Sequence, residues 1–106
     1  MSTKFEIKKI WEKRYGNETE VIDYAGRKMI KSACSNPNSL YQPTIDHIRP
    51  LSKDGKDVEG NIEICNRNTN LEKADNFPHF KANGKKFKVL KAKGEKDSYK
   101  IVENNK

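Results

Sequence analysis

The stretch from Ile45 to Asp75 constrains this chain more than any other. Asp46-His47-Ile48 is followed by Pro50, a loop carrying Gly55 and Gly60, then Asn61-Ile62, and finally Asn70, Lys73 and Asp75. A carboxylate beside a histidine near the end of an apolar strand suits hydrolysis. The carboxylate can hold a hard metal ion, and the imidazole can take a proton from water near neutral pH. Neighbours on a strand point to opposite faces, so the two residues divide naturally between a metal and a nucleophile.

The local signals around this stretch give an order of elements. Thr44 to Ile48 reads as a strand, and the loop from Arg49-Pro50 to Gly60 is too long for a tight hairpin turn. Three acidic and two basic residues between Pro50 and Gly60 argue against a packed loop interior. Asn61 to Cys65 reads as a second strand, with Ile62 and Ile64 alternating against Glu63 and Cys65. The Asn66, Asn68 and Thr69 cluster offers N-caps for a helix ending near Asp75, and Pro78 forbids much extension. The sequence of elements is therefore strand, loop, strand, helix.

The order and spacing of Asp46, His47, Asn61 and Asn70, with Lys73 and Asp75 beyond, resemble the HNH family of ββα-metal endonucleases. The variant is the one with asparagine in place of the last histidine, as in the HNH domain of RNA-guided nucleases. The resemblance implies Asp46 as one metal ligand and Asn70 as the second, His47 as general base, and Asn61 as the asparagine that ties the loop between the strands. It covers roughly a third of the chain at motif level. Many relatives also hold the motif with Cys-x-x-Cys zinc ligands, two of them just before the helix. Those positions are Asn66 and Thr69 here, and the only cysteines are Cys34 and Cys65. No structural zinc is expected. An oxygen-only ligand pair favours Mg²⁺, with Mn²⁺ as substitute.

Composition sets the outer bounds. A chain of 106 residues is expected to form one domain, 1–106, with an α+β fold and the ββα core at about 44–76. Hydrophobic residues make up 33% and charged residues 35%, so the core must be small. A formal charge of +7 favours a polyanionic partner, nucleic acid first and an acidic membrane surface second, and with the HNH resemblance duplex DNA is the expected partner. No apolar run is long enough to span a bilayer, and the two cysteines follow no disulfide pattern. The expectation is a cytoplasmic monomer without a membrane partner, its cysteines buried or incidental thiols.

At the N-terminus, Thr3 with Glu6 suggests a capping box for an amphipathic helix, with Ile7, Ile10, Trp11 and Tyr15 on one face and a stop at Gly16-Asn17. A stripe at this spacing is core rather than a base-stacking platform. Val21 to Ile30 suggests a short hairpin about Ala25-Gly26. From Lys81 to Lys106 there are nine lysines against three acidic residues. Two alternating runs there, at about 85–103, read as a lysine-rich β-hairpin. Its lysines either keep a sheet edge soluble or contact phosphates. Beside a nuclease motif, Lys86, Lys88 and Lys91 become candidate DNA contacts. Lys73 is read either as a further phosphate contact or as a solvated lysine, and His79 as structural or incidental.

The reading is a metal-dependent HNH endonuclease that hydrolyses DNA by one-metal catalysis. The alternatives are a non-catalytic DNA-binding module on the same scaffold, or a toxin or RNA-directed nuclease with the same chemistry.

Overall fold

A computed structural model describes residues 3–105. The chain opens with helix α1 (Ile7–Tyr15), which Gly16 ends at φ 60°, a conformation that favours glycine. Strands β1 (Glu20–Ile22) and β2 (Lys28–Ile30) form a small antiparallel hairpin. Strand β3 (Pro43–His47) pairs antiparallel with β4 (Ile62–Asn66), and helix α2 (Arg67–Lys73) follows directly. The C-terminal part is a three-stranded antiparallel sheet of β5 (His79–Ala82), β6 (Lys85–Lys91) and β7 (Tyr99–Glu103). The result is a compact α+β fold with a radius of gyration of 13.1 Å.

Three expectations change. Thr3 does not cap α1: Glu6 holds the capping position without a side-chain hydrogen bond, and the Thr3 hydroxyl is drawn into a distant loop instead. Helix α2 stops at Lys73, where Ala74 turns to φ 49°. The expected C-terminal hairpin gains β5 on its outer edge, with Phe80 opposite Phe87. A four-residue run with only Phe80 and Ala82 as its apolar positions was too short to register as a strand.

Two apolar clusters flank the β3–β4 pair. Ile10 and fully buried Trp11 pack with Met29, Ile62 and Ile64. The Trp11 indole N–H donates to the Glu18 carbonyl at 2.8 Å, so its polar edge is satisfied. On the other side Ala25, Ile48, Phe80, Ala82, Phe87 and Val89 form the second cluster, with Phe80 and Phe87 stacked at 5.3 Å. Among the described residues, no helix is long and apolar enough to cross a membrane.

The register fixes which way the site residues face. His47 lies opposite Ile62 and Ile45 opposite Ile64, so His47 shares the face that packs on α1. Asp46 lies opposite Glu63 and Thr44 opposite Cys65, on the face towards α2.

Candidate active site

The loop between β3 and β4 is tied above all by the Asn61 side chain. Asn61 is fully buried; its Oδ1 accepts the Arg49 amide at 2.8 Å, and its Nδ2 donates to the carbonyls of Arg49 (3.0 Å) and Lys56 (2.8 Å). Gly55 closes the same loop, because a Cβ there would lie 1.8 Å from the Arg49 carbonyl oxygen. Arg49 is itself committed. Its guanidinium donates to the Lys53 carbonyl and the Tyr99 hydroxyl and lies 4.9 Å from the Phe77 ring centre.

The start of α2 is held by hydrogen bonds. Asn66 accepts the Asn68 amide at 2.8 Å and donates to the carbonyls of Lys28 and Leu40 at 2.9 and 2.8 Å. Asp23 accepts the amides of Ala25, Arg27 and Asn66, joining the turn of the first hairpin to the helix start. Thr69 is buried and accepts from Arg27 at 3.3 Å. These bonds fix the helix relative to two distant segments. Cys34 and Cys65 are free and buried, and burial pushes both thiols above the usual range.

A cavity of about 520 Å³ lies where the end of β3 meets α2. It is lined by Asp46, His47, Asn70 and Asp75, with Pro50, Leu51, Ser52, Leu71 and Ala74. Asn70 donates its side-chain amide to Thr44 Oγ1 at 3.1 Å. Asp75 accepts a long bond from Ser52, 3.4 Å.

Lys73 is not the solvated, phosphate-reaching side chain that its helical position suggested. It has no exposed surface, and its ammonium donates to the His47 carbonyl at 3.0 Å and lies 3.0 Å from Asp46 Oδ2. Burial pushes the Asp46 carboxyl up, and the nearby Lys73 charge offsets part of that effect. Asp46 Oδ2 is buried and lies within ion-pair distance of that ammonium. Sequence gave no signal for this pairing. The i, i+3 spacing places Lys73 with Asn70 on one helix face, but the facing strand residue is a tertiary matter.

His47 is 1% exposed, with Nε2 2.7 Å from Asp57 Oδ1 and Nδ1 buried without a hydrogen-bond partner among the described residues. Asp57 was missed by sequence reasoning. It stands among Asp54 and Glu59 in the same loop, and no spacing rule separates it from them.

The candidate phosphate-contacting lysines divide by register. His79 pairs with Lys88 and Lys81 with Lys86, so these four share the outer face of the C-terminal sheet. Lys91 is in phase with Phe87 and Val89 and so projects on the side opposite Lys86 and Lys88, at the strand end. Lys86 is exposed and Lys88 half-buried.

Among the described residues, no three His, Cys, Asp or Glu side chains converge as a metal cluster. The Asp46 and Asn70 pair mixes a carboxylate with an amide and stands outside that kind of grouping.

Residues 32–76 match the family model for HNH endonuclease. The match starts before β3, ends just past α2, and takes in Asp46, His47, Asn61, Asn70, Lys73 and Asp75, so the HNH resemblance is shown for this segment. No curated protein and no solved structure matches the chain. An HNH domain suggests a nuclease or a DNA-binding function for this part of the molecule.

Proposed function

We propose that the chain is a metal-dependent endonuclease that hydrolyses DNA phosphodiester bonds, with His47 as general base and Asp46 and Asn70 as metal ligands. The observation that carries this reading is the shared cavity, where two adjacent residues of β3 meet Asn70 of α2. The donor set suits a hard cation: a buried carboxylate, whose Oδ2 already lies 3.0 Å from the Lys73 ammonium, and the amide of Asn70. When bound there, Mg²⁺ or Mn²⁺ supplies positive charge against the phosphate oxygens.

The chain's own groups do the rest. His47 takes a proton from a water molecule, whose oxygen forms the new bond to phosphorus in line with the departing 3′ oxygen. The bond to that 3′ oxygen breaks, and the oxygen takes a proton from solvent. The family resemblance implies 5′-phosphate and 3′-hydroxyl ends. Asn61 holds the loop that leaves His47 at the strand end, and Lys73 holds Asp46 in place before any cation arrives. Exposed lysines on the C-terminal sheet attract the DNA backbone without reading sequence.

The test is nicking of supercoiled plasmid across Mg²⁺, Mn²⁺, Ni²⁺, Co²⁺ and Zn²⁺. The wild type should work with Mg²⁺ or Mn²⁺, and His47→Ala should cut at least about 100-fold more slowly. Asn70→His should shift the preference towards Ni²⁺ or Co²⁺, because an imidazole nitrogen suits those ions. Calorimetry with Mn²⁺ should show metal binding retained in His47→Ala and lost in Asp46→Ala. Duplex binding without cleavage in any metal would favour the DNA-binding module, and cleavage confined to structured RNA would favour the other nuclease reading.

A further inference from the structure

Asp57 lies outside the cavity, in the loop between β3 and β4, and the motif gives it no role. Its Oδ1 is 2.7 Å from His47 Nε2 and accepts the Thr3 hydroxyl at 2.6 Å. Its Oδ2 accepts the Lys4 amide at 2.7 Å, and the Thr3 hydroxyl in turn accepts the Phe5 amide at 3.2 Å. Partial burial alone would raise this carboxyl. The bonds from Thr3, His47 and the Lys4 amide outweigh it and bring the group down to about 2. At neutral pH Asp57 is therefore an acceptor only, and the ring nitrogen facing it has to carry a hydrogen. In a neutral imidazole the lone pair is then on the other nitrogen. That nitrogen is Nδ1, the one with no hydrogen-bond partner among the described residues.

We infer that Asp57 is a positioning residue for His47: it fixes the ring orientation and the Nε2–H tautomer, leaving Nδ1 to accept the proton, and the Thr3–Lys4 segment holds Asp57 for this task. The consequence for cleavage rests on the nuclease reading, whereas the tautomer does not. Without Asp57 the imidazole can rotate or place its hydrogen on Nδ1, and either change takes the lone pair away from the reacting water. The N-terminal segment thus becomes part of the catalytic apparatus although it precedes α1 and lies outside the matched residues.

The experiment uses the full chain, ¹⁵N-labelled and carrying His79→Gln so that only His47 contributes imidazole signals. Two-bond ¹H–¹⁵N correlation spectra are recorded at alkaline pH, alongside plasmid-nicking kinetics and thermal melts. The parent should show a protonated Nε2 and a bare Nδ1. Asp57→Ala should give averaged tautomers and a kcat lowered about 100-fold, with KM within about threefold. Asp57→Asn, whose amide oxygen can still accept from Nε2–H, should keep the tautomer and recover most of kcat. Thr3→Val should fall between the parent and Asp57→Ala. An unchanged tautomer in Asp57→Ala, or Asp57→Asn behaving as Asp57→Ala in the spectrum, overturns the inference. If Asp57→Ala fails to melt cooperatively, Asp57→Asn and Thr3→Val decide it. If the parent cuts no DNA with any metal, the spectra still decide the tautomer while the nuclease reading falls.

Discussion

Lys73 and Lys88 both stand on regular elements, yet they serve opposite ends. Lys73 on α2 has no exposed surface, sits 5.5 Å from the Phe80 ring centre and pairs with a buried carboxylate. Lys88 on β6 is half-buried and shares an outer sheet face with exposed Lys81 and Lys86, a face that can meet a polyanion. Between β3 and α2, charge is desolvated and held at fixed distances, where each group matters through its geometry. On the C-terminal sheet, charge is solvated and acts by its sum, where individual lysines matter little. Chemistry at one phosphate needs the first arrangement, and holding a long phosphate backbone needs only the second.

The largest effect expected from this contrast is at Lys73. Replacing one partner of a buried pair leaves an uncompensated charge, so Lys73→Met should lose about 3–5 kcal/mol in urea unfolding. Asp46→Asn in the same background should restore much of that, because the remaining group is neutral. A Lys73→Met protein as stable as the parent would place Lys73 with the solvated lysines and dissolve the contrast.

Asn61→Ala comes next. Three side-chain hydrogen bonds vanish and buried loop groups are left unpaired, for a loss of about 2–3 kcal/mol in the same assay. Cleavage should fall with it even under conditions where the variant is fully folded, since the loop that follows His47 is released.

The sheet should answer differently. Affinity for duplex DNA should fall with salt at a log–log slope of about −0.9 per phosphate contact. Replacing Lys86 and Lys88 by glutamine should flatten that slope with stability unchanged, for all DNA sequences alike. Lys91→Gln, on the other side of the sheet, should change it less. Equal changes for Lys91 and Lys88 would mean that the bound backbone wraps the strand end and ignores the face.

The smallest effect is the acid limb of stability. Asp57 has a folded pKa of about 2, below its ordinary value of 3.8. A depressed carboxyl contributes stability that is fully present above the ordinary value and is lost as pH falls through the folded one. The difference in melting temperature between the parent and Asp57→Asn should therefore shrink between about pH 4 and pH 2. A difference that stays constant across that window would mean that the Thr3, Lys4 and His47 contacts do not favour the ionised form.

Much of this molecule was legible along the chain, wherever neighbours in sequence are neighbours in space. The apolar stripe of α1, the Gly16 stop, the alternation in β4 and the Asn66 cap depend on residues within a few positions of one another. The motif residues were readable for the same reason in a weaker form, since a strand, a loop and a helix set their order. The metal roles given to Asp46 and Asn70 came from resemblance, and the cavity that gathers them required α2 to fold back on β3.

Three things only the tertiary structure decided. Whether Lys73 faces solvent or Asp46 depends on how α2 rotates against β3, and the helix pattern is compatible with both. Whether Thr3 caps a helix or grips a loop depends on Asp57, 54 positions away, for which a hydroxyl has no local preference. Which side of the sheet a given lysine serves depends on the register between β5, β6 and β7, where a shift of one residue exchanges the faces. Local propensity and periodicity determined the elements and their order. Long-range partners decided the charge states and orientations, because a buried polar group takes whichever partner satisfies it, at any distance along the chain.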